Sequence, residues 1–141
     1  ARILDLFCGT GALGLEALSR GASQAVFMDH DLKTVRQNLA LCRMGDRARI
    51  IQTDLGQPRA LSALQDRTFD LVFMDPPYGK GFARNLLASP SLLDRLTPNT
   101  ILVVEHGASE KLAADQRLLD IYRQKKYSRT MISFIRKKKE P

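Results

Sequence analysis

The chain has 141 residues, 44% hydrophobic and 26% charged, proportions that suit one globular domain. No apolar run approaches the ~18–20 residues that a helix needs to cross a bilayer, which excludes a helical membrane span. The net charge of +7 is concentrated, because residues 123–139 hold eight Lys or Arg and no Asp or Glu, while the other 14 basic and 15 acidic residues nearly cancel.

A basic segment on a nearly neutral body predicts a polyanion partner, with a solvated tail as the plainer reading of "RKKKE". Two cysteines, Cys8 and Cys42, make neither a disulfide framework nor a metal site, so a reducing, cytoplasmic setting is expected. His30 and His106 are isolated in sequence and read as ordinary surface or loop residues. No metal ligand set is predicted.

In chain order, Ile3–Phe7 is a short apolar strand, followed by a glycine loop and a helix through about Arg20. Gln24–Asp29 is a second strand. Asp31 then caps a helix to about Met44, with Leu32, Val35, Leu39 and Cys42 at helical spacing. Arg49–Thr53 is a third strand, and Pro58–Leu64 a short helix entered through proline. Asp70–Met74 forms the fourth strand, Ala83–Leu87 a helix, and Ile101–Glu105 the fifth strand. The final stretches, Leu118–Tyr127 and Thr130–Lys137, predict two strands joined by a tight connection. This alternation implies an α/β fold: a doubly wound, mostly parallel seven-stranded Rossmann-like sheet with an antiparallel edge strand. Ligands of such sheets bind beyond the carboxyl ends of the strands, where the strand order reverses.

"DLFCGTGALG" joins the first strand to the first helix. Gly9, Gly11 and Gly14 have the spacing of a nucleotide-binding turn, letting a ligand approach the backbone and the helix N-terminus. Asp29 ends the second strand, where a carboxylate can accept both ribose hydroxyls. A nicotinamide dinucleotide and S-adenosyl-L-methionine both fit these parts. Asp5 separates them, because a carboxylate there repels a pyrophosphate but suits the cationic amino-acid part of S-adenosylmethionine, directly or by ordering the loop. Asp54 is placed to accept from an adenine amino group, with Leu55 packing nearby, or else to cap a helix. Phe7 joins the candidate cofactor contacts. Cys8 has no basic partner in sequence, and Glu16 is explained by an i,i+4 pair with Arg20.

"FDLVFMDPPYGKG" drives an apolar strand into Asp75, Pro76, Pro77 and Tyr78. Two prolines can neither continue a ladder nor sit inside a helix, so they force a rigid, extended corner. Together with "DLFCGTGALGLEALSRGA", this stretch resembles the class I S-adenosylmethionine-dependent methyltransferases that modify exocyclic amines. More narrowly, it resembles the bacterial family that methylates guanine N2 of small-subunit ribosomal RNA, over residues 1 to about 137. The resemblance implies that strands one and four are neighbours, so that the glycine loop and the corner face one crevice. Asp75 and the Pro76 carbonyl would accept the two N–H bonds of the target amine, and Tyr78 would stack on the extruded base. Lys125, Lys126 and Arg129 would grip the ribosomal RNA or small subunit. Residues 1–141 are then a methyltransferase catalytic domain. Because the chain opens on a strand without Met, it is expected to be part of a longer chain, and the resemblance implies a basic segment upstream of residue 1.

Alternatives weighed on the same residues are a DNA or RNA adenine-N6 methyltransferase and a protein amide methyltransferase, which would have Asn at position 75. A dehydrogenase would leave the proline corner unexplained, and a non-enzymatic RNA-binding module would explain only the basic run.

Overall fold

A computed structural model describes residues 1–112 and 114–139. Its frame is one seven-stranded sheet in the order β3-β2-β1-β4-β5-β7-β6. The strands are β1 Arg2–Leu6, β2 Gln24–Asp29, β3 Ala48–Gln52, β4 Phe69–Met74, β5 Leu96–Gly107, β6 Leu119–Tyr127 and β7 Thr130–Lys137. β1 to β5 run parallel, whereas β7 pairs antiparallel with both β5 and β6. The antiparallel pairings therefore lie at one side of the sheet, with β6 outermost. Strand order reverses between β1 and β4, so the crevice of a doubly wound fold opens there.

Four short helices decorate the sheet: α1 Ala12–Ser19, α2 Lys33–Cys42, α3 Phe82–Leu87 and α4 Pro90–Leu93. Each strand presents alternate residues to opposite faces, and the core divides accordingly. Leu4, Leu6, Val26, Met28, Val72, Met74, Leu102, Val104 and Ile135 pack with Leu86, Leu87 and Leu92 of α3 and α4. Ile3, Ala25 and Phe27 pack on the other face with Leu18 of α1 and Val35 and Leu39 of α2. Burying a side chain of this size is worth about 1.5–3 kcal/mol, so the two layers hold the strand ends firmly in register. The second face is covered only in part. Towards β5 and β7, Ile101 is 43% exposed and Phe134 half-buried.

Some expectations shift. β5 extends over 12 residues rather than five, starting as far back as Leu96. The expected helix at Pro58–Leu64 shrinks to one 3₁₀ turn at Ser62–Leu64, because Asp54, Gln57, Arg59 and Leu61 spend their carbonyls on successive tight turns. The N-cap of α2 is Leu32 rather than Asp31, which stands one residue earlier and accepts the Lys33 N–H at 3.0 Å. His106 is not a surface residue. It is 3% exposed, with Nε2 2.7 Å from the Ser133 hydroxyl across the β5–β7 pairing.

Candidate active site

The glycine turn is built by bonds to the sheet and to α2. The Cys8 N–H donates to the Met28 carbonyl, the Gly11 N–H to the Cys8 carbonyl, and the Asn38 side chain to the Thr10 carbonyl. Phe7 is left-handed at φ 57°, a conformation that costs energy for a residue with a side chain and often marks a functional turn. The three glycines divide their tasks. A Cβ at Gly11 would lie 2.5 Å from Val35 Cγ2, and one at Gly14 2.4 Å from Phe27 Cε1, so both are required by packing. Gly9 faces open space, with nothing within 4 Å of its missing Cβ, and is the glycine that leaves room for a ligand.

One crevice of about 500 Å³ joins this turn to the proline corner. Its walls include Phe7, Asp29, Asp54, Leu55, Asp75, Pro76, Pro77 and Tyr78, all singled out in the sequence. His30, Lys80 and Phe82 also line it and had not been identified. The Phe82 ring lies 5.4 Å from the Phe7 ring and is admitted by Gly56, where a Cβ would meet Phe82 at 2.8 Å. With Leu55 these rings form an apolar slot. The volume suits a nucleoside-sized ligand.

Three carboxylates lie in or beneath the crevice, two of them bonded to the glycine turn. Asp29 Oδ2 accepts the Gly9 N–H at 2.9 Å, and Oδ1 accepts both the His30 N–H and the His30 ring Nδ1 at 2.8 Å. A carboxylate offers about four acceptor positions, so with three bonds made Asp29 keeps about one for a further donor. Asp54 sits at the slot's edge, accepting from the Gly56 N–H at 2.9 Å and from the Gln57 amide. These bonds, the Gly56 N–H first, hold its pKa below the ordinary carboxylate range. Asp5 stands beneath the crevice, 2% exposed, accepting the Gly14 N–H at 3.1 Å. Burial, opposed by that bond and aided by Asp75 and Asp29, pushes its pKa up to about 7. It works through the loop rather than as a lining group. Cys8 is inert as a nucleophile, since burial and then Asp5 and Asp29 raise its thiol to about 12. Glu16 pairs with Arg20 at 2.7 Å, as expected.

Asp75 lines the crevice directly after β4. Although its own surface meets solvent, the enclosing walls first, and then Glu105, raise its pKa to about 6. Tyr78 is 52% exposed, and its hydroxyl lies 3.1 Å from that of Thr130, the first residue of β7.

The eight basic residues do not act together. Lys125, Lys126 and Arg129 lie at the β6–β7 tip, which is docked on the sheet by the Ala108 N–H donating to the Arg129 carbonyl at 2.7 Å. The Tyr78–Thr130 contact sets this tip beside the crevice. Arg136, Lys137, Lys138 and Lys139 sit at the far end of β7, about 25 Å away at the usual rise per residue. There Arg136 pairs with Asp120 at 3.2 Å, and Lys137 caps the Leu93 carbonyl. Only the tip can serve the crevice.

The strand order, the glycine turn after β1 and the Asp-Pro-Pro-Tyr corner after β4 define a class I methyltransferase domain. The chain belongs to the family described as conserved hypothetical protein 95, whose model matches residues 1–136. It is 31% identical over 140 residues to YlbH of Bacillus subtilis, named as a candidate rRNA methyltransferase, covering 97% of this chain and 76% of that one. It is 40% identical over 86 residues to ribosomal RNA small subunit methyltransferase D of Escherichia coli K12, covering 57% of this chain but only 40% of that protein. A conserved hypothetical protein of Streptococcus pyogenes shares the fold at a TM-score of 0.79 and 28% identity, covering 97% of this chain and 86% of the other.

Proposed function

We propose that this domain transfers a methyl group from S-adenosylmethionine to the exocyclic N2 amine of a guanine in small-subunit ribosomal RNA, acting in the cytoplasm. The observation that carries this reading is the shared crevice: a nucleoside slot and an amine-binding corner open into one space. The names of the curated relatives support ribosomal RNA as the substrate class.

The residues present fit the cofactor. Phe7, Leu55 and Phe82 would hold its adenine, with Asp54 at the edge, and Asp29 would take a ribose hydroxyl beside the open flank of Gly9. Bound there, S-adenosylmethionine supplies an electrophilic methyl group on a cationic sulfur. The chain's own task is to improve a poor nucleophile, because the lone pair of an aromatic amine is delocalised into its ring. Asp75 and the Pro76 carbonyl would accept its two N–H bonds and aim the lone pair at the methyl group. Asp75 also stabilises the positive charge that develops on nitrogen. The two prolines keep both acceptors fixed, so little reorganisation is needed. Tyr78 offers its ring to the extruded base, and Lys80 a cation to its phosphate.

The reading is tested by incubating the protein with methyl-labelled S-adenosylmethionine and, separately, 16S RNA, small subunits, RNA oligoadenylate and duplex DNA. Nucleoside digests should show N2-methylguanine from the ribosomal substrates. Label recovered as N6-methyladenine would move the assignment to an adenine enzyme with the same corner.

Two expectations follow for substrate grip. Tyr78→Phe keeps the ring but loses the Thr130 contact, and initial rates on ribosomal RNA should fall only a few-fold. Tyr78→Ala also loses stacking worth about 1–3 kcal/mol, so kcat/KM should drop by roughly 10- to 100-fold. Equal losses in the two variants would mean that the hydroxyl, not the ring, matters.

Changing Lys125, Lys126 and Arg129 together to Gln should flatten the dependence of log affinity on log salt by about 2 to 3, at roughly 0.7–0.9 per phosphate contact. The same change at Lys137, Lys138 and Lys139 should leave the slope nearly unaltered, because that end of β7 is remote from the crevice. Filter binding over a range of salt concentrations separates the two. Equal slopes in both triple variants would disprove the assignment of the tip.

A further inference from the structure

Glu105 has no role in the site as described. The β4–β5 register pairs Phe73 with Val103 and Met74 with Val104, so the next residues along are Asp75 and Glu105. Alternation along each strand sends Phe73 and Asp75, and Val103 and Glu105, to the same face, opposite buried Met74 and Val104. On its other side Glu105 pairs with Ile132 of β7, which cannot ionise. The half-buried Glu105 is thus flanked by a carboxyl group and an aliphatic side chain. Charged and titratable groups around the pair come from every neighbouring strand. Asp5 of β1 and Asp29 of β2 share the face, Tyr78 and Lys80 belong to the corner, and Lys125 of β6 stands opposite Ile132. Among the described residues, no three carboxylate, His or Cys side chains converge closely enough to hold a metal ion.

We propose that Asp75 and Glu105 act as one unit, a carboxyl pair sharing a single proton, in which Glu105 is a positioning residue that works through Asp75. Two carboxylates in contact repel, whereas one proton between them makes a short, directional bond. The elevation of Asp75 to about 6, first by enclosure and then by Glu105 through charge and hydrogen bonding, agrees with the geometry.

The pair does two things. It fixes the rotation of the Asp75 carboxyl, so the oxygen turned away from Glu105 faces the crevice mouth. It also provides a proton sink. In the transfer the amine nitrogen would bond to the methyl carbon as the carbon–sulfur bond breaks, and the nitrogen must then give up one proton. That proton passes to Asp75 as the proton the pair already shares leaves from the Glu105 side to water, so the pair returns to one proton. This consequence rests on the function proposed above, whereas the pair itself can be tested without any substrate.

The test follows the carboxyl carbon of Asp75 by NMR in substrate-free protein, with Asp75→Asn used to assign the signal. In the unchanged protein Asp75 should titrate near the raised value. In Glu105→Gln and in Glu105→Ala its midpoint should fall by about one pH unit, because a neutral neighbour no longer repels the carboxylate. Glu105→Asp should restore part of the elevation. In active protein, the acidic limb of kcat/KM should move in the same direction while cofactor affinity is unchanged. An Asp75 midpoint unchanged in both neutral variants overturns the pair, whether or not the protein methylates RNA. A shifted midpoint in a protein that methylates no RNA would leave the pair standing and overturn the proposed function instead.

Discussion

Asp75→Ala should bind S-adenosylmethionine with the affinity of the unchanged protein while its methyl transfer falls by about 10²–10³-fold, the usual cost of removing one preorganised electrostatic contact. The separation follows from position. Asp75 belongs to the proline corner after β4, whereas Phe7, Leu55, Phe82 and Asp29, the residues proposed to hold the cofactor, come from other segments of the same crevice. Asp75→Asn should be milder, because it keeps one carbonyl oxygen but presents an N–H₂ where the amine needs an acceptor. Calorimetry measures the binding and initial rates on ribosomal RNA the transfer. Wild-type turnover by Asp75→Ala would refute the mechanism, and loss of cofactor binding would move Asp75 into the cofactor site.

The second large effect is a trade of function for stability at Asp5. Its carboxyl has a pKa of about 7 in the folded protein against 3.8 as the reference value, with burial the main cause. A raised carboxyl pKa means that the folded state binds the proton more tightly than the unfolded one. The stability associated with the protonated form is complete below about pH 4 and is lost as pH rises through 7. Asp5→Asn keeps an oxygen to accept the Gly14 N–H and removes the ionisation. The empty variant should therefore melt higher than the parent at pH 8, by an amount bounded at about 4 kcal/mol, and the gap should vanish near pH 4. If Asp5 acts on the cofactor as proposed, the variant's affinity for S-adenosylmethionine should fall, since the charge that would favour the cationic end is gone. Melting curves at the two pH values and calorimetry check both halves. A variant less stable than the parent at pH 8 would show that the Gly14 bond needs the charged acceptor.

What could be read from the sequence was whatever leaves a local mark. Glycines needed for a tight turn, prolines that force a corner and short runs of apolar residues all report their own conformation. Gln24–Asp29 was accordingly placed to the residue. The twelve-residue length of β5 was hidden because its first half, including Pro98 and Asn99, carries no apolar alternation. Phe82 escaped notice because the fold brings it against Phe7, whereas His30 and Lys80 adjoin Asp29 and the proline corner in sequence but carry no pattern of their own. Glu105 was missed for the same reason, since only the β4–β5 register sets it beside Asp75. His106 reads as a loop histidine beside Gly107, yet a hydroxyl 27 positions away holds it inside. The basic run looked like one patch because a linear sequence does not show that a hairpin points its two ends in opposite directions.

The Tyr78–Thr130 contact bears on how such domains can be re-engineered. Thr130 is also the ladder partner of Gly107 and Tyr127, so the aromatic corner is pinned to the very turn that carries Arg129. The β6–β7 hairpin is consequently not an interchangeable cassette. Grafting a relative's hairpin to redirect the domain to a different RNA would also reposition the stacking ring unless a hydroxyl is retained at position 130. A transplant that keeps Thr130 while exchanging the flanking cations is the one that should alter target choice without blunting the chemistry.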